Sequence, residues 1–258
     1  MPEPQRTTLF TGVGVAIVTL FDADGEVDAT GTADLADRLV GEGVRAVVVA
    51  GSTGEAAALS ADERVALLEA VKDRVGARVP VIAGTGAASA RQAAAYTIDA
   101  RKHGADAILA LSPPGSRRLG DYYAAVAGAA GELPLYGYHF PRSSLPGIPV
   151  EELTGLPLRG IKDSSGDPER LLRELTSTDL DIYTGAAMLL AFAGPLGCPG
   201  AILALANVDP ALCARAFAGD PEAQLALTPL HLQAREDFPY GLKRLLADRY
   251  GTSTTARL

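Results

Sequence analysis

Eight short apolar runs end in glycine-, serine- or proline-rich turns, and seven of them precede a helical pattern; this alternation restricts the fold more than any other feature. The runs fall at residues 13–19, 46–50, 80–84, 106–111, 133–140, 159–162, 182–184 and 201–204. The second is continuous valine and alanine, as expected of a parallel strand buried on both faces. Helical patterns cover 29–42, the stretch opened by Ser60, 88–104, 122–130, the stretch from 168, 187–193 and 210–218. Ser60 with Glu63 three residues on is a capping-box signature. Eight strand-like runs in β-then-α alternation predict an α/β protein of the (β/α)8 (TIM) barrel class, for which 258 residues is an ordinary length. A doubly wound sheet would usually carry a glycine-rich dinucleotide fingerprint, which the sequence lacks. Residues 220–250 predict two further helices broken near Phe238-Pro239, and 251–258 read as frayed. The expected organisation is a barrel over 1–219 with C-terminal helices over 220–258 packed on it as one structural unit.

A net charge of −8 without a basic cluster argues against nucleic acid or an anionic membrane as partner. Cys198 and Cys213 lack metal-ligand spacing and lie in apolar surroundings, so they read as buried free thiols of a reducing compartment. The opening Met-Pro-Glu-Pro-Gln-Arg has no apolar leader core, and no run reaches the roughly 18 apolar residues of a membrane span. A soluble, cytoplasmic protein is expected.

Barrels of this class carry their chemistry at the C-terminal ends of the strands, and that rule selects residues. The second strand delivers Ser52 and Thr53, the fifth Tyr136 and Tyr138, and the sixth Lys162. Of four lysines, Lys72, Lys102 and Lys243 lie in helical patterns, and only Lys162 ends a strand-like run. An amine pointing into a barrel is costly as a cation, and that cost favours the neutral, nucleophilic form. The alternative is a surface lysine at a strand edge. The turn Gly51-Ser52-Thr53-Gly54 offers hydroxyls and free N–H groups to an anion such as a carboxylate, or is an ordinary βα turn. Tyr136 and Tyr138, two apart, face one side of their strand, where they serve packing or chemistry. Lysine, tyrosine and a hydroxyl-rich turn together suggest imine chemistry on a 2-oxo acid.

Gly51-Ser52-Thr53-Gly54-Glu55, the Tyr138-x-x-Pro141 run and Gly160-Ile161-Lys162-Asp163-x-x-Gly166-Asp167 resemble the dihydrodipicolinate synthase/N-acetylneuraminate lyase family. The likeness runs in order from Ala16-Ile17-Val18-Thr19 and Asp24-Gly25 to Gly200-Ala201-Ile202 and Ala206-Asn207. The resemblance implies a class I, Schiff-base-forming lyase or aldolase on a (β/α)8 barrel. Lys162 would form the imine with pyruvate or a related 2-oxo acid, and Tyr138 would shuttle protons beside it. Ser52 would extend that relay. Thr53, with the Gly51–Thr53 backbone, would hold the substrate carboxylate, and Gly185 and Ile202 would line the pocket. It also implies no metal or organic cofactor, an aldehyde as second small-molecule partner, and a homo-oligomer, dimer or tetramer.

Departures from the family pattern bear on substrate. Ser112-Pro113-Pro114-Gly115 stands where the synthases carry tyrosines, one of which reaches a neighbouring subunit's site. In Pro141-Arg142-Ser143-Ser144 the arginine is displaced by one position, and Arg142 is the candidate for a distal carboxylate. Ala186-Ala187-Met188 replaces the acidic residues of the neuraminate lyases, His139 replaces an asparagine and faces outward, and the tail is short, lacking the last family helix. The leading expectation is an aldolase for a 2-keto-3-deoxy sugar acid or a 4-hydroxy-2-oxo acid, or a dehydratase of the same type. The alternatives are a genuine 4-hydroxy-tetrahydrodipicolinate synthase and a non-catalytic metabolite-binding barrel.

Overall fold

The computed structural model describes residues 8–116 and 118–258; the opening stretch 1–6 read from the sequence lies outside them. Eight parallel strands close into a barrel in chain order: β1 (Gly12–Ala16), β2 (Val47–Val49), β3 (Val81–Gly84), β4 (Ala107–Leu111), β5 (Leu135–His139), β6 (Gly160–Asp163), β7 (Asp181–Thr184) and β8 (Gly200–Leu203). β1 pairs with β8, from Gly12 opposite Gly200 to Val15 opposite Leu203, so no strand edge is left open. The (β/α)8 class expected from the alternation is the class observed.

Helices α1 (Ala29–Gly41), α2 (Ala61–Val75), α3 (Ala90–Lys102), α4 (Leu119–Ala130), α5 (Pro168–Ser177), α6 (Leu190–Ala193) and α7 (Pro210–Phe217) follow the strands, and α8 (Pro221–Arg235) and α9 (Tyr240–Tyr250) come last. Their starts are written in local chemistry. Ser60 Oγ accepts from Glu63 N while Glu63 Oε2 accepts from Ser60 N, the reciprocal box read from the sequence. At Asp167-Pro168, Asp209-Pro210 and Asp220-Pro221 an aspartate caps free N–H groups and proline takes the first helical position, where its missing donor costs nothing.

Inward strand positions build a small inner core that includes Val48, Ile82, Leu109, Tyr136 and Tyr183; outward positions join the larger layer beneath the helices. At the N-terminal end Phe10 stacks on Tyr183, with ring centroids 4.5 Å apart, and Tyr183 Oη donates to Phe10 O. Tyr136 Oη donates to Asp181 Oδ2 at 3.2 Å. A Cβ at Gly160 would stand 2.7 Å from the Tyr136 ring, so glycine makes room for the tyrosine.

Three expectations need correction. β1 ends at Ala16 rather than residue 19, because Asn207 takes the place of a neighbouring strand: its Oδ1 accepts from Val18 N and its Nδ2 donates to Ala16 O. The helix expected over 187–193 is a 3-10 turn (Ala187–Leu189) followed by the single turn of α6. Residues 251–258 are not frayed. Lys243 Nζ donates to Thr255 O, and Arg257 N and Leu258 N both donate to Glu55 Oε2. No helix among the described residues is long and apolar enough to cross a membrane.

Candidate active site

A cavity of about 980 Å³ opens at the C-terminal end of the barrel, where every strand presents its last residues and the following turn. Lys162 is the third residue of β6, in register with Tyr138 on β5, and alternation points both side chains inward. Each is 5% exposed, and Lys162 Nζ lies 4.3 Å from the centre of the Tyr138 ring, within cation–π range. Phe140 also stacks on Tyr138, with the ring planes 8° apart. The Lys162 amine and the Tyr138 hydroxyl make no hydrogen bond to another described residue, so both are available to a ligand.

The neighbours of these residues point the other way and fix the strand ends. Asp163 Oδ1 accepts from Ser165 N and Oδ2 from Ser165 Oγ, which shapes the turn after Lys162. His139 Nδ1 accepts from Ile148 N at 2.9 Å, so its ring faces outward, as the alternation implies. Behind β6, Arg170 bridges Glu174 at 2.7 Å and Asp163 at 3.7 Å. Burial, then the Asp163 carboxylate, push the Glu174 carboxyl up to about 8; burial, then Arg170, push His139 down to about 4.

These shifts have opposite linkage. Folded Glu174 keeps its proton up to about 8, whereas the unfolded group releases it near its ordinary 4.5, so stability falls as pH rises between the two. Folded His139 loses its proton near 4 and the unfolded ring near 6.5, so stability rises with pH across that lower window. Above 6.5 only the Glu174 effect remains. Melting temperature is expected to fall between pH 6.5 and 8, and Glu174→Gln to flatten that slope; circular-dichroism melts across pH check it.

The turn after β2 is held open in an unusual way. Ala50 (φ 50°) and Glu55 (φ 56°) both adopt left-handed backbone, a costly conformation for residues with a Cβ. Between them Glu55 N donates to Ser52 O and Ala56 N to Gly51 O. The N–H groups of Ser52 and Thr53 donate to no described residue, and both side chains line the cavity. Gly51 sits one position behind the cavity wall.

Gly185, after β7, donates its N–H to Asp163 O at 2.6 Å. A Cβ there would stand 1.9 Å from Ser164 Oγ and 3.0 Å from Lys162 Cε, so only glycine permits this approach. Ile202 on β8 and exposed Arg142 complete the residues expected from the sequence. Tyr136 is not among the lining residues; its hydroxyl is committed to Asp181 deeper in the barrel. Tyr122 and Tyr123 are turned into the helix layer, donating to Leu111 O and Ala110 O.

Sequence reasoning missed part of the wall. His231 and Arg235, four apart on α8, reach the cavity rim, with Arg235 Nη1 3.5 Å from His231 Nε2. Burial and then the charge of nearby Arg142 lower the His231 pKa. The four-residue spacing was visible, but nothing local says that α8 passes the barrel mouth. Arg64 also lines the cavity, its guanidinium donating to Gly84 O and stacking over Tyr96. The charged side chains of the lining are therefore Arg64, Arg142, Lys162 and Arg235 against Glu55, whose carboxylate is paired with Lys243 at 2.6 Å. An acidic protein thus surrounds a cationic pocket, suited to an anionic ligand. Among the described residues no group of three or more His, Cys, Asp or Glu is placed to hold a metal ion.

Comparison with known proteins agrees with this architecture. The family model described as the dihydrodipicolinate synthetase family matches residues 9–235. The 4-hydroxy-tetrahydrodipicolinate synthase of Pseudomonas aeruginosa is 38% identical, covering 86% of this chain and 82% of its own. The chloride-inhibited dihydrodipicolinate synthase of Acinetobacter baumannii, solved with pyruvate, superposes with a TM-score of 0.89 at 30% identity, over 97% of this chain and 92% of that one. A prophage protein of the same family from Escherichia coli K12, also solved with pyruvate, gives 0.90 at 28% identity over 96% and 92%.

Proposed function

The chain belongs to the dihydrodipicolinate synthetase family of lyases, and from that premise we propose that it is a class I aldolase acting on pyruvate or a related 2-oxo acid through an imine on Lys162. The observation that carries this reading is the buried Lys162 amine, free of protein hydrogen bonds among the described residues, held 4.3 Å from the Tyr138 ring centre.

In the proposed sequence Nζ of Lys162 attacks the C2 ketone, the carbinolamine loses water, and a protonated imine remains. That cation accepts the electron pair released when the C3–H or C3–C4 bond breaks, giving an enamine. Tyr138 carries the proton to or from the reacting atoms, with Ser52 extending the relay. The unused N–H groups of Ser52 and Thr53 and the Thr53 hydroxyl hold the C1 carboxylate, with Gly51 shaping their turn. Gly185 and Ile202 bound the reacting carbons, and Arg142 takes a distal acid group. No metal or organic cofactor enters, because the imine supplies the electron sink.

Exchange of the pyruvate methyl protons in D2O, followed by proton NMR, tests the enamine step. Exchange catalysed by the wild type is expected, with Tyr138→Phe about 10²-fold to 10⁴-fold slower. A folded protein with no exchange on pyruvate or any longer 2-oxo acid would favour a non-catalytic metabolite-binding barrel.

The 38% identical synthase supports a second reading, 4-hydroxy-tetrahydrodipicolinate synthase. Against it stands the exit of β4, where Ser112-Pro113-Pro114-Gly115 offers no tyrosine, while Tyr122 and Tyr123 are buried with their hydroxyls on the backbone of Leu111 and Ala110. Formation of 4-hydroxy-tetrahydrodipicolinate would place the chain with that relative; turnover of 2-keto-3-deoxy sugar acids or 4-hydroxy-2-oxo acids supports the leading reading. We further propose a homo-oligomer, because Leu225 and Leu232, seven apart on one face of α8, are 73% and 60% exposed. Sedimentation is expected to give a dimer or tetramer. Buried, unpaired Cys198 and Cys213 support a cytoplasmic location.

A further inference from the structure

The segment 251–258 lies against the turn after β2, joined to it by a buried network for which the reaction sketched above has no use. Glu55, 1% exposed and in left-handed backbone, is ion-paired through Oε1 with Lys243 Nζ at 2.6 Å and accepts the N–H groups of Arg257 and Leu258 on Oε2 at 2.7 and 3.0 Å. Lys243 is fully buried, donates to Thr255 O at 2.6 Å and lies 4.4 Å from the Phe21 ring centre. The Arg257 guanidinium ties the segment down on three sides: to Gly25 O at 2.7 Å, to Ala58 O at 3.1 Å and to Glu63 at 2.7 Å. Leu258 then joins Ser52 and Thr53 in the cavity wall.

Glu55 is the hinge of this arrangement. Its main chain donates to Ser52 O, so the orientation of its backbone sets where the free N–H groups of Ser52 and Thr53 point. A left-handed glutamate is not the resting state of a free loop, and it persists where surrounding contacts over-determine it. Those contacts come from α9 and from segment 251–258, about two hundred residues away along the chain.

We propose that segment 251–258, anchored by Arg257 and gathered on Glu55 and Lys243, positions the Ser52–Thr53 turn for the substrate carboxylate. Arg257 is thus a positioning residue more than one contact removed from the reacting atoms. The consequence for pyruvate rests on the imine reading; the ordering of the turn does not.

The test compares wild type, Arg257→Ala and Arg257→Lys. Kinetics of pyruvate C3–H exchange give KM and kcat, and hydrogen–deuterium exchange reports uptake in residues 51–56. Arg257→Ala is expected to raise KM about tenfold or more, change kcat by less than about threefold, and speed deuterium uptake in 51–56 while the β-strands are unaffected. Arg257→Lys, which keeps a donor near Glu63, is expected to recover part of the KM change. A lower melting temperature with unchanged KM and unchanged uptake in 51–56 would overturn the proposal, leaving the segment a brace only. Should the wild type fail to exchange pyruvate, the imine reading fails separately, and uptake in 51–56 alone decides: faster in Arg257→Ala supports positioning, unchanged overturns it.

Discussion

Lys162→Ala is expected to keep its fold and lose reaction at the pyruvate carbonyl, with kcat for C3–H exchange reduced by about 10⁴-fold or more. The size follows from the absence of a substitute amine. Lys72 is paired with Asp106, Lys102 is exposed on α3, and Lys243 is buried against Glu55, so Lys162 is the only lysine among the described lining residues. Stability should change little, because the space vacated opens onto the cavity rather than leaving a sealed void, and a buried amine is removed. Lys162→Arg makes the stricter control: it places a guanidinium at this position but has no amine to form an imine. NMR exchange rates together with melting curves check both variants. Substantial exchange by Lys162→Arg would mean that charge alone, rather than covalent chemistry, activates the substrate.

Gly185→Val is expected to cost about 10²-fold to 10³-fold in kcat/KM while the barrel stays folded. The first atom of any side chain would meet Ser164 Oγ at 1.9 Å and Lys162 Cε at 3.0 Å. Ser164 can rotate away, but the lysine stem can move only by shifting Nζ from its place over Tyr138. Displacement of a reacting group by about 1 Å costs on the order of 10²-fold. Gly185→Ala should lose less, and adding Ser164→Ala to it should restore part of the loss by removing the nearer collision. Steady-state kinetics on the single and double variants measure that coupling. Full rescue would assign the whole effect to Ser164 and leave Lys162 unmoved.

Much of this site was legible because it depends on local rules. The alternation of apolar runs and helical patterns gave the barrel, and the strand-end rule picked Ser52, Thr53, Tyr138 and Lys162 from across 258 residues into one cavity. Period-two alternation separated Lys162 from outward Asp163, and Tyr138 from outward His139. The same rule could not say how high along the barrel a side chain stands, so Tyr136 was grouped with Tyr138 although it bonds to Asp181 below the cavity. Contacts made at long range left no local trace. Thr252-Ser253-Thr254-Thr255 has the composition of a loose end, yet the segment is held by Glu55 and Lys243. Lys243 itself reads in the sequence only as a residue of a helical pattern, because its partner lies 188 positions away. His231 and Arg235 were equally silent until the path of α8 placed them at the rim.

Covalent chemistry at Lys162 is the claim on which the account depends, and trapping with borohydride tests it most directly. The protein is incubated with pyruvate, reduced, digested and mapped by mass spectrometry. A single reduced pyruvyl adduct on the peptide containing Lys162, absent from Lys162→Ala, is the predicted result. An adduct on another lysine, or none with pyruvate and longer 2-oxo acids on folded protein, would contradict it.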